Sequence, residues 1–198
     1  MKIRDINNYF GDMDLFLIDA ILKGKIPQEG KVLDIGCGEG RNGIFFINEE
    51  YEYLGIDQNA SRISLIDYLS KSSKTAIARF QVGRMQEIDL SEEFDVIICS
   101  RILHFAENEQ DFQLIWRNIV RHLNTQGVLY FSMDSAMIGQ EVKAKGNGKY
   151  EFQDGHISYA LNPSLYEYML KGFSELEYLK TVIYNNKRIN SFGLLRKD

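Results

Sequence analysis

The chain has 198 residues, 44% of them hydrophobic and 26% charged, with a net charge of −5. That length fits one domain and buries roughly 70% of the unfolded chain's surface, so neither disulfides nor metals are needed to hold a core. The acidic balance argues against a nucleic-acid surface, which needs a basic face, and no apolar run approaches the ~18 residues of a membrane span.

Residues 1–5 are polar and carry no signal-peptide core. Residues 1–11 hold two aromatics, Tyr9 and Phe10, and Met13, Phe16, Leu17, Ala20 and Ile21 then fall on one helical face that Gly24 and Pro27 end. Val32, Leu33 and Ile35 make a short apolar run suited to a buried strand. Gly36, Gly38 and Gly40 break it, and residues 41–50 read as a helix. A strand that stops in glycines before a helix lets backbone approach a ligand, with free N–H groups pointing at it.

Residues 53–57 read as a second strand ending in Asp57, and residues 60–69 as a helix with Ile63, Ile66 and Leu69 inward. Residues 76–82 are expected as strand three and 94–99 as strand four, apolar enough for the middle of a parallel sheet. Phe112, Ile115, Trp116, Ile119, Val120 and Leu123 then mark a helix with Trp116 in the core and His122 on the solvated side. Strand five spans 127–133. Residues 134–162 show no sustained periodicity and contain Gly139, Gly146, Gly148 and Gly155, so they read as a long functional loop. Ser164 through Glu167 resembles a capping box opening a helix to about Gly172, and residues 177–184 and 189–195 read as a closing hairpin. Cys37 and Cys99 are the two cysteines, best read as reduced thiols in a cytoplasm.

The glycine spacing narrows the ligand. A dinucleotide fingerprint is G-x-G-x-x-G, because a pyrophosphate sits on the helix N-terminus. Here the pattern is G-x-G-x-G, with Arg41 where the third fingerprint glycine would fall. Asp57 lies 57 − 38 = 19 residues past Gly38, close to the ~20 expected of a carboxylate that accepts from ribose hydroxyls. The site therefore suits a nucleoside without a phosphate in the first turn. Arg41 opposes the helix dipole at its position, which gives a reason to look for a carboxylate partner on the cofactor or the substrate, an exposed arginine being the alternative. His104, past strand four, is the best general-base candidate because a near-neutral pKa suits deprotonating oxygen or nitrogen; packing is the alternative.

The run Asp34-Ile35-Gly36-Cys37-Gly38-Glu39-Gly40 resembles motif I of the class I S-adenosylmethionine-dependent methyltransferases, and Gly38 to Asn42 looks most like the small-molecule, tellurite-resistance type. The resemblance implies an α/β fold over residues 1–198 as one domain. Its sheet would be seven-stranded, Rossmann-like and mostly parallel, with helices on both faces and a C-terminal antiparallel hairpin. Residues 1–26 would form an N-terminal cap, with Tyr9 and Phe10 covering cofactor or substrate or simply packing the helix, and 134–162 a substrate lid. The implied cofactor is S-adenosylmethionine. Carried over by position, its contacts are Asp34, Gly36, Cys37, Gly38, Gly40, Arg41, Asp57, Gln58, Arg84, Met85 and Ser100, with Asp34 near the ammonium and Met85 against the adenine. Many members have an acidic residue where this chain has Arg84.

Substrate contacts expected on this reading are Tyr9, Arg101, His156 and Tyr159, with His104 catalytic. No residue spacing fits a metal site. The acceptor is expected to be a small molecule, not nucleic acid, since the chain lacks the Pro-Pro-aromatic and Pro-Cys stretches of DNA-modifying relatives; monomer and homodimer both remain open. Two other readings stand beside this one: a nicotinamide-dependent oxidoreductase on a similar sheet, and a methyltransferase-fold interaction subunit without catalysis.

Overall fold

A computed structural model describes residues 3–70, 78–138, 142–185 and 187–198. Strands are numbered in chain order. Five of them run parallel: β1 (Lys31–Ile35), β2 (Glu52–Asp57), β3 (Ala78–Val82), β4 (Phe94–Ser100) and β5 (Leu123–Asp134). A second group, β6 (Lys143–Gly146), β7 (Lys149–Glu151) and β8 (Ile157–Tyr159), forms a separate antiparallel sheet. The hairpin β9 (Phe173–Tyr184) and β10 (Arg188–Lys197) joins the main sheet through β10, which pairs antiparallel with β5. The main sheet thus has the order β3-β2-β1-β4-β5-β10-β9, the Rossmann-like arrangement with a C-terminal hairpin that the resemblance implied.

Strand alternation splits the core between the two faces. Val32, Tyr53, Val96, Ile98 and Tyr130 point to one face, packing with Phe10 of α1 (Ile3–Phe10), Leu17 of α2 (Leu15–Leu22) and Phe46 of α3 (Ile44–Asn48). Leu33, Ile35, Leu54, Ile97, Leu129 and Phe131 point to the other. There they meet Phe112, Ile115 and Trp116 of α5 (Glu109–Arg121) and Leu165 and Met169 of α6 (Pro163–Met169). Helix α4 (Ala60–Ser70) flanks the β2–β3 edge. Trp116, 4% exposed, is core as its spacing predicted.

Several expectations need correction. The stretch 134–162 carries three strands, not an irregular loop: Gly146, Asn147 and Gly148 all take positive φ and turn β6 back onto β7. The N-terminal segment is two helices, broken at Gly11 (φ +56). Helix α3 begins only at Ile44, because residues 40–43 close a turn in which the Gly43 N–H donates to the Gly40 carbonyl. Helix α4 buries Ile63 but leaves Leu69 54% exposed. Strand three is described from Ala78; residues 76 and 77, Gly139 of the expected lid and Asn186 of the hairpin turn lie outside the described residues. Strand β5 starts at Leu123, paired with Phe94 ahead of a bulge. The cap of α6 is Asn162, whose side chain accepts from the Leu165 N–H at 2.9 Å, with Pro163 at the first helical position, so Ser164 is not the cap. His122 is buried, not solvated; its Nδ1 lies 2.6 Å from the Asn118 carbonyl oxygen and Nε2 accepts from the Leu90 N–H at 3.0 Å.

Candidate active site

The strand order reverses between β1 and β4, and open α/β sheets place ligands at the carboxyl ends of such strands. A cleft of about 570 Å³ opens there, lined by Gly36, Asp57, Gln58, Arg84, Met85, Ser100 and Arg101 of the predicted set, with Ile102 and Phe105 beside them. Of the glycine loop, Gly36 lines it. The Gly36 and Cys37 N–H groups donate to the Ile56 carbonyl at 2.7 and 3.0 Å, which folds the loop over the end of β2. Gly36 has φ +72, and a Cβ there would lie 2.2 Å from the Ile102 side chain, so only glycine fits. At Gly38 a Cβ would meet nothing closer than an Arg62 guanidinium nitrogen at 3.9 Å, so the backbone there faces open space.

Asp57 is fixed from two sides. One carboxylate oxygen accepts from the Gly38 N–H at 3.0 Å and the other from the Asn59 N–H at 2.8 Å. Asp34 lies beneath the loop, 1% exposed, and accepts from the Tyr53 hydroxyl at 2.8 Å. Burial pushes its carboxyl up to about 7, against the Tyr53 hydrogen bond and the Arg41 charge, both of which oppose the rise.

Arg41 reaches along the mouth of the loop. Its guanidinium donates to the Ser100 hydroxyl at 3.2 Å and to the Asp12 carbonyl at 3.3 Å. Ser100 in turn donates to Asp14 at 3.2 Å, and the Asp14 N–H donates to the Asn42 side chain at 2.9 Å. These bonds tie the start of α2 to the glycine loop and to the end of β4. Asp14 caps α2 by accepting from the Phe16 N–H. Neither Asp14 nor Asn42 was singled out in the sequence; a capping aspartate ahead of an apolar helix was the available signal.

Beyond β4 a second group of polar side chains collects. His104 sits in the 3-10 turn Leu103–Phe105, 8% exposed, and its Nδ1 is buried without a hydrogen-bond partner. Burial lowers its pKa to about 4, although the Asp134 charge pulls the other way, so the near-neutral pKa expected of a general base is not what this ring has. Asp134, the last residue of β5, is fully buried and accepts from the Ser158 hydroxyl at 2.6 Å. His156 Nε2 lies 3.4 Å and an Arg188 guanidinium nitrogen 3.8 Å from the same oxygen. In the orientation that satisfies its amide, Asn190 donates to the other oxygen at 3.2 Å. Asp134, Arg188 and Asn190 were missed. An acidic residue ending an apolar parallel strand, as Asp57 does, was the one local sign of the first.

Other predicted residues lie elsewhere. Tyr9 donates its hydroxyl to Glu49, and both it and Phe10 pack on Phe45 of α3, so neither lines the cleft. Tyr159 is 2% exposed and stacks on Phe112, a core position with no ring face left for a ligand. Cys37 is buried under the loop, its thiol pKa pushed up by burial, and Gly40 (φ +79) closes against Ile66. Cys37 and Cys99 are both free thiols. Among the described residues no group of three or more His, Cys, Asp or Glu is placed to hold a metal ion, and no helix is long and apolar enough to cross a membrane.

Residues 26–172 match the family described as "Methyltransferase domain". Among curated relatives, the putative methyltransferase YqeM of Bacillus subtilis is 28% identical over 140 residues, covering 70% of this chain and 55% of that protein. The chain spans between 34% and 66% of the length of the first curated relatives it matches. The crystal structure of TehB from Haemophilus influenzae superposes with a TM-score of 0.71 at 20% identity, over 91% of this chain and 62% of that one. The 1,6-didemethyltoxoflavin-N1-methyltransferase of Burkholderia thailandensis, solved with 1,6-didemethyltoxoflavin and S-adenosylhomocysteine bound, gives 0.71 at 16% identity, over 98% and 81%. The open glycine loop, the carboxylate at the tip of β2 and this match over most of the chain agree: the protein belongs to the class I S-adenosylmethionine-dependent methyltransferases, with similarity to TehB.

Proposed function

We propose that this chain transfers a methyl group from S-adenosylmethionine to a small-molecule acceptor. The observation that carries the reading is Asp57, held by the Gly38 N–H at the rim of a cleft that Gly36 lines with bare backbone. Two of the roughly four lone-pair sites of its carboxylate are used by protein N–H groups, which leaves the others for ribose hydroxyls. Arg41 stands where a pyrophosphate-binding loop needs glycine, and its guanidinium occupies the loop mouth. The residues thus suit an adenosine carrying an amino acid better than a dinucleotide.

S-adenosylmethionine brings a methyl group already electrophilic on a sulfonium, so the protein needs to position, align and exclude water, and proximity alone is worth ~7–11 kcal/mol. In this assignment Gly36 and Gly38 offer backbone to the methionine part, Cys37 and Gly40 hold the turn that presents them, and Asp34 lies beneath near its ammonium. Asp57 and Gln58 hold the ribose, Met85 lies along the adenine and Arg84 at its edge, while Ser100 and Arg41 close the carboxylate end. His104 accepts the acceptor's proton and Arg101, exposed at φ +59, lies along its path. Residues 1–198 act as one domain in which 1–26 cover the loop mouth and 134–162 cover the acceptor. Support for a small acceptor comes from the Burkholderia neighbour, which holds one beside the spent cofactor. The acidic balance speaks against nucleic acid, and the two free thiols fit a cytoplasmic protein.

Calorimetric titration with S-adenosylmethionine and with NAD, run separately, tests the reading. S-adenosylmethionine is expected to bind and NAD not, and Asp57→Ala is expected to weaken binding by on the order of 1–3 kcal/mol, the cost of unpaired ribose hydroxyls. Binding of NAD alone would make the chain an oxidoreductase; binding of neither would make it a scaffold.

A further inference from the structure

We propose that Arg101 binds an anionic group of the methyl acceptor, a carboxylate or a phosphate, and that Arg62 and Arg84 draw that anion into the same cleft; this rests on the methyl-transfer reading above. Three separate elements deliver the guanidinium groups. Arg62 comes from the first turn of α4, Arg84 from the position ahead of the 3-10 turn Met85–Glu87, and Arg101 from the position just past β4. All three line the cleft that Gly36 and Asp57 line. Among the described residues none of these three side chains makes a hydrogen bond or an ion pair, whereas Arg79, Arg121 and Arg188 are paired with Glu92, Asp89 and Asp154.

The cofactor does not account for them. S-adenosylmethionine carries a sulfonium and an ammonium against one carboxylate, and Arg41 at the loop mouth is already placed for that carboxylate. Three further guanidinium groups repel such a cation unless an anion enters with it. The lining supplies no partner of its own: Asp57 accepts from the Gly38 and Asn59 N–H groups, and Glu107 forms no ion pair with any of the three. The chain carries a net charge of −5, so the excess of cations is local to this cleft. Among the described residues no lysine lines it. A guanidinium presents paired N–H groups that match a carboxylate or a phosphate edge to edge, which an ammonium does not.

Of the three, Arg101 stands on the acceptor's side. Arg84 adjoins Met85, to which the adenine is assigned, and an Arg62 guanidinium nitrogen lies 3.9 Å from the point that a Cβ at Gly38 would occupy. Arg101 instead follows β4, where its charge bears on His104 and on Tyr184 of β9. Its backbone takes φ +59, a conformation that glycine adopts freely and other residues seldom do. The Arg101 N–H holds it there, donating to the carbonyl oxygen of the fully buried Ser132 at 2.8 Å and to its hydroxyl at 3.1 Å. An arginine kept where glycine would be unstrained is kept for its side chain, and backbone strain of this kind collects at ligand sites. Arg101 is exposed, so its guanidinium meets an incoming anion without first breaking a protein contact.

Calorimetry on the chain with S-adenosylhomocysteine bound tests the site, with benzoate as the carboxylate probe, phenyl phosphate as the phosphate probe and benzamide as the uncharged control. Benzoate or phenyl phosphate is expected to bind about tenfold or more tightly than benzamide, the effect of one hydrogen bond between charged groups, and the tighter of the two names the anion. Its affinity should fall as salt is added, because exposed charges are screened. Arg101→Gly suits the backbone at φ +59 and is expected to melt no lower than the unaltered chain, yet to lose about tenfold in anion affinity. Arg101→Lys should recover part of that loss. Arg101→Gln should show the same loss as the glycine variant, and carries the test if that variant fails to fold. Anions that bind no tighter than benzamide, or anion affinity undiminished in Arg101→Gly or Arg101→Gln, would overturn the proposal. Titrating S-adenosylmethionine into the unaltered chain separates the two claims. No binding there defeats the methyltransferase reading and this proposal with it, whereas a bound cofactor with both anions indifferent defeats this proposal alone.

Discussion

Asp34 shows how burial and hydrogen bonding pull on one side chain. Its carboxyl accepts from Tyr53 in a site closed to water, and desolvation outweighs that bond and the Arg41 charge to hold it at about 7. An unfolded aspartate titrates near ~3.9, so between about pH 4 and 7 the folded chain binds more protons than the unfolded one and stability falls as pH rises. His104 works in the other direction: its folded pKa of about 4 lies below the unfolded value, so its contribution is lost as pH drops from about 6.5 toward 4. Asp34→Asn keeps an acceptor for Tyr53 and removes the ionisation cost. Thermal melts should show it more stable at pH 8 by on the order of 1–2 kcal/mol, each kcal/mol being worth ~2–4 °C for a chain of this size, with most of that gain gone by about pH 4. An equal gain at both pH values would mean that ionisation is not the cause.

Elements differ in how plainly the chain announces them. The unit β1–glycine loop–β2 was legible because its signals are local: an apolar run, three glycines and a carboxylate 19 residues past Gly38. Strands β4 and β5 and helix α5 were legible for the same reason, being buried with full periodicity. Strands β6 to β8 were not. They are three or four residues long, and β6 is exposed at every position, so no alternation marks it. Helix α6 was found but its start was set two residues late, because Ser164 fits a capping pattern while Asn162 makes the bond. Asn162→Ala should therefore cost about 1 kcal/mol. Calorimetric melting would show this as a fall of ~2–4 °C, with S-adenosylmethionine affinity unchanged; an unaltered melting temperature would place the cap elsewhere.

Across the whole molecule the sheet divides its labour. The carboxyl ends of β1 and β2 carry Gly36, Gly38 and Asp57, the residues proposed for the nucleoside, while β5 and β10 bring Asp134, Arg188 and Asn190 together, with His104 in the turn after β4. The first half could be read from spacing because its residues lie within one βαβ unit. The second could not, since Asp134 meets partners at 156, 158, 188 and 190 only through the turn of the small sheet and the antiparallel pairing of β10 with β5. Tyr9 and Phe10 were expected either to cover the cofactor or substrate or to pack their helix; they pack on Phe45, and Asp12 and Asp14 link the N-terminal segment to the loop by way of Arg41 and Ser100. All of this depends on the cleft between the glycine loop and Asp57. A crystal structure with S-adenosylhomocysteine bound addresses it most directly. The ribose hydroxyls are expected on the Asp57 carboxylate, with the adenine along Met85 and the homocysteine over Gly36 and Gly38. An adenosine bound outside that cleft, or in it with Asp57 untouched, would contradict the account.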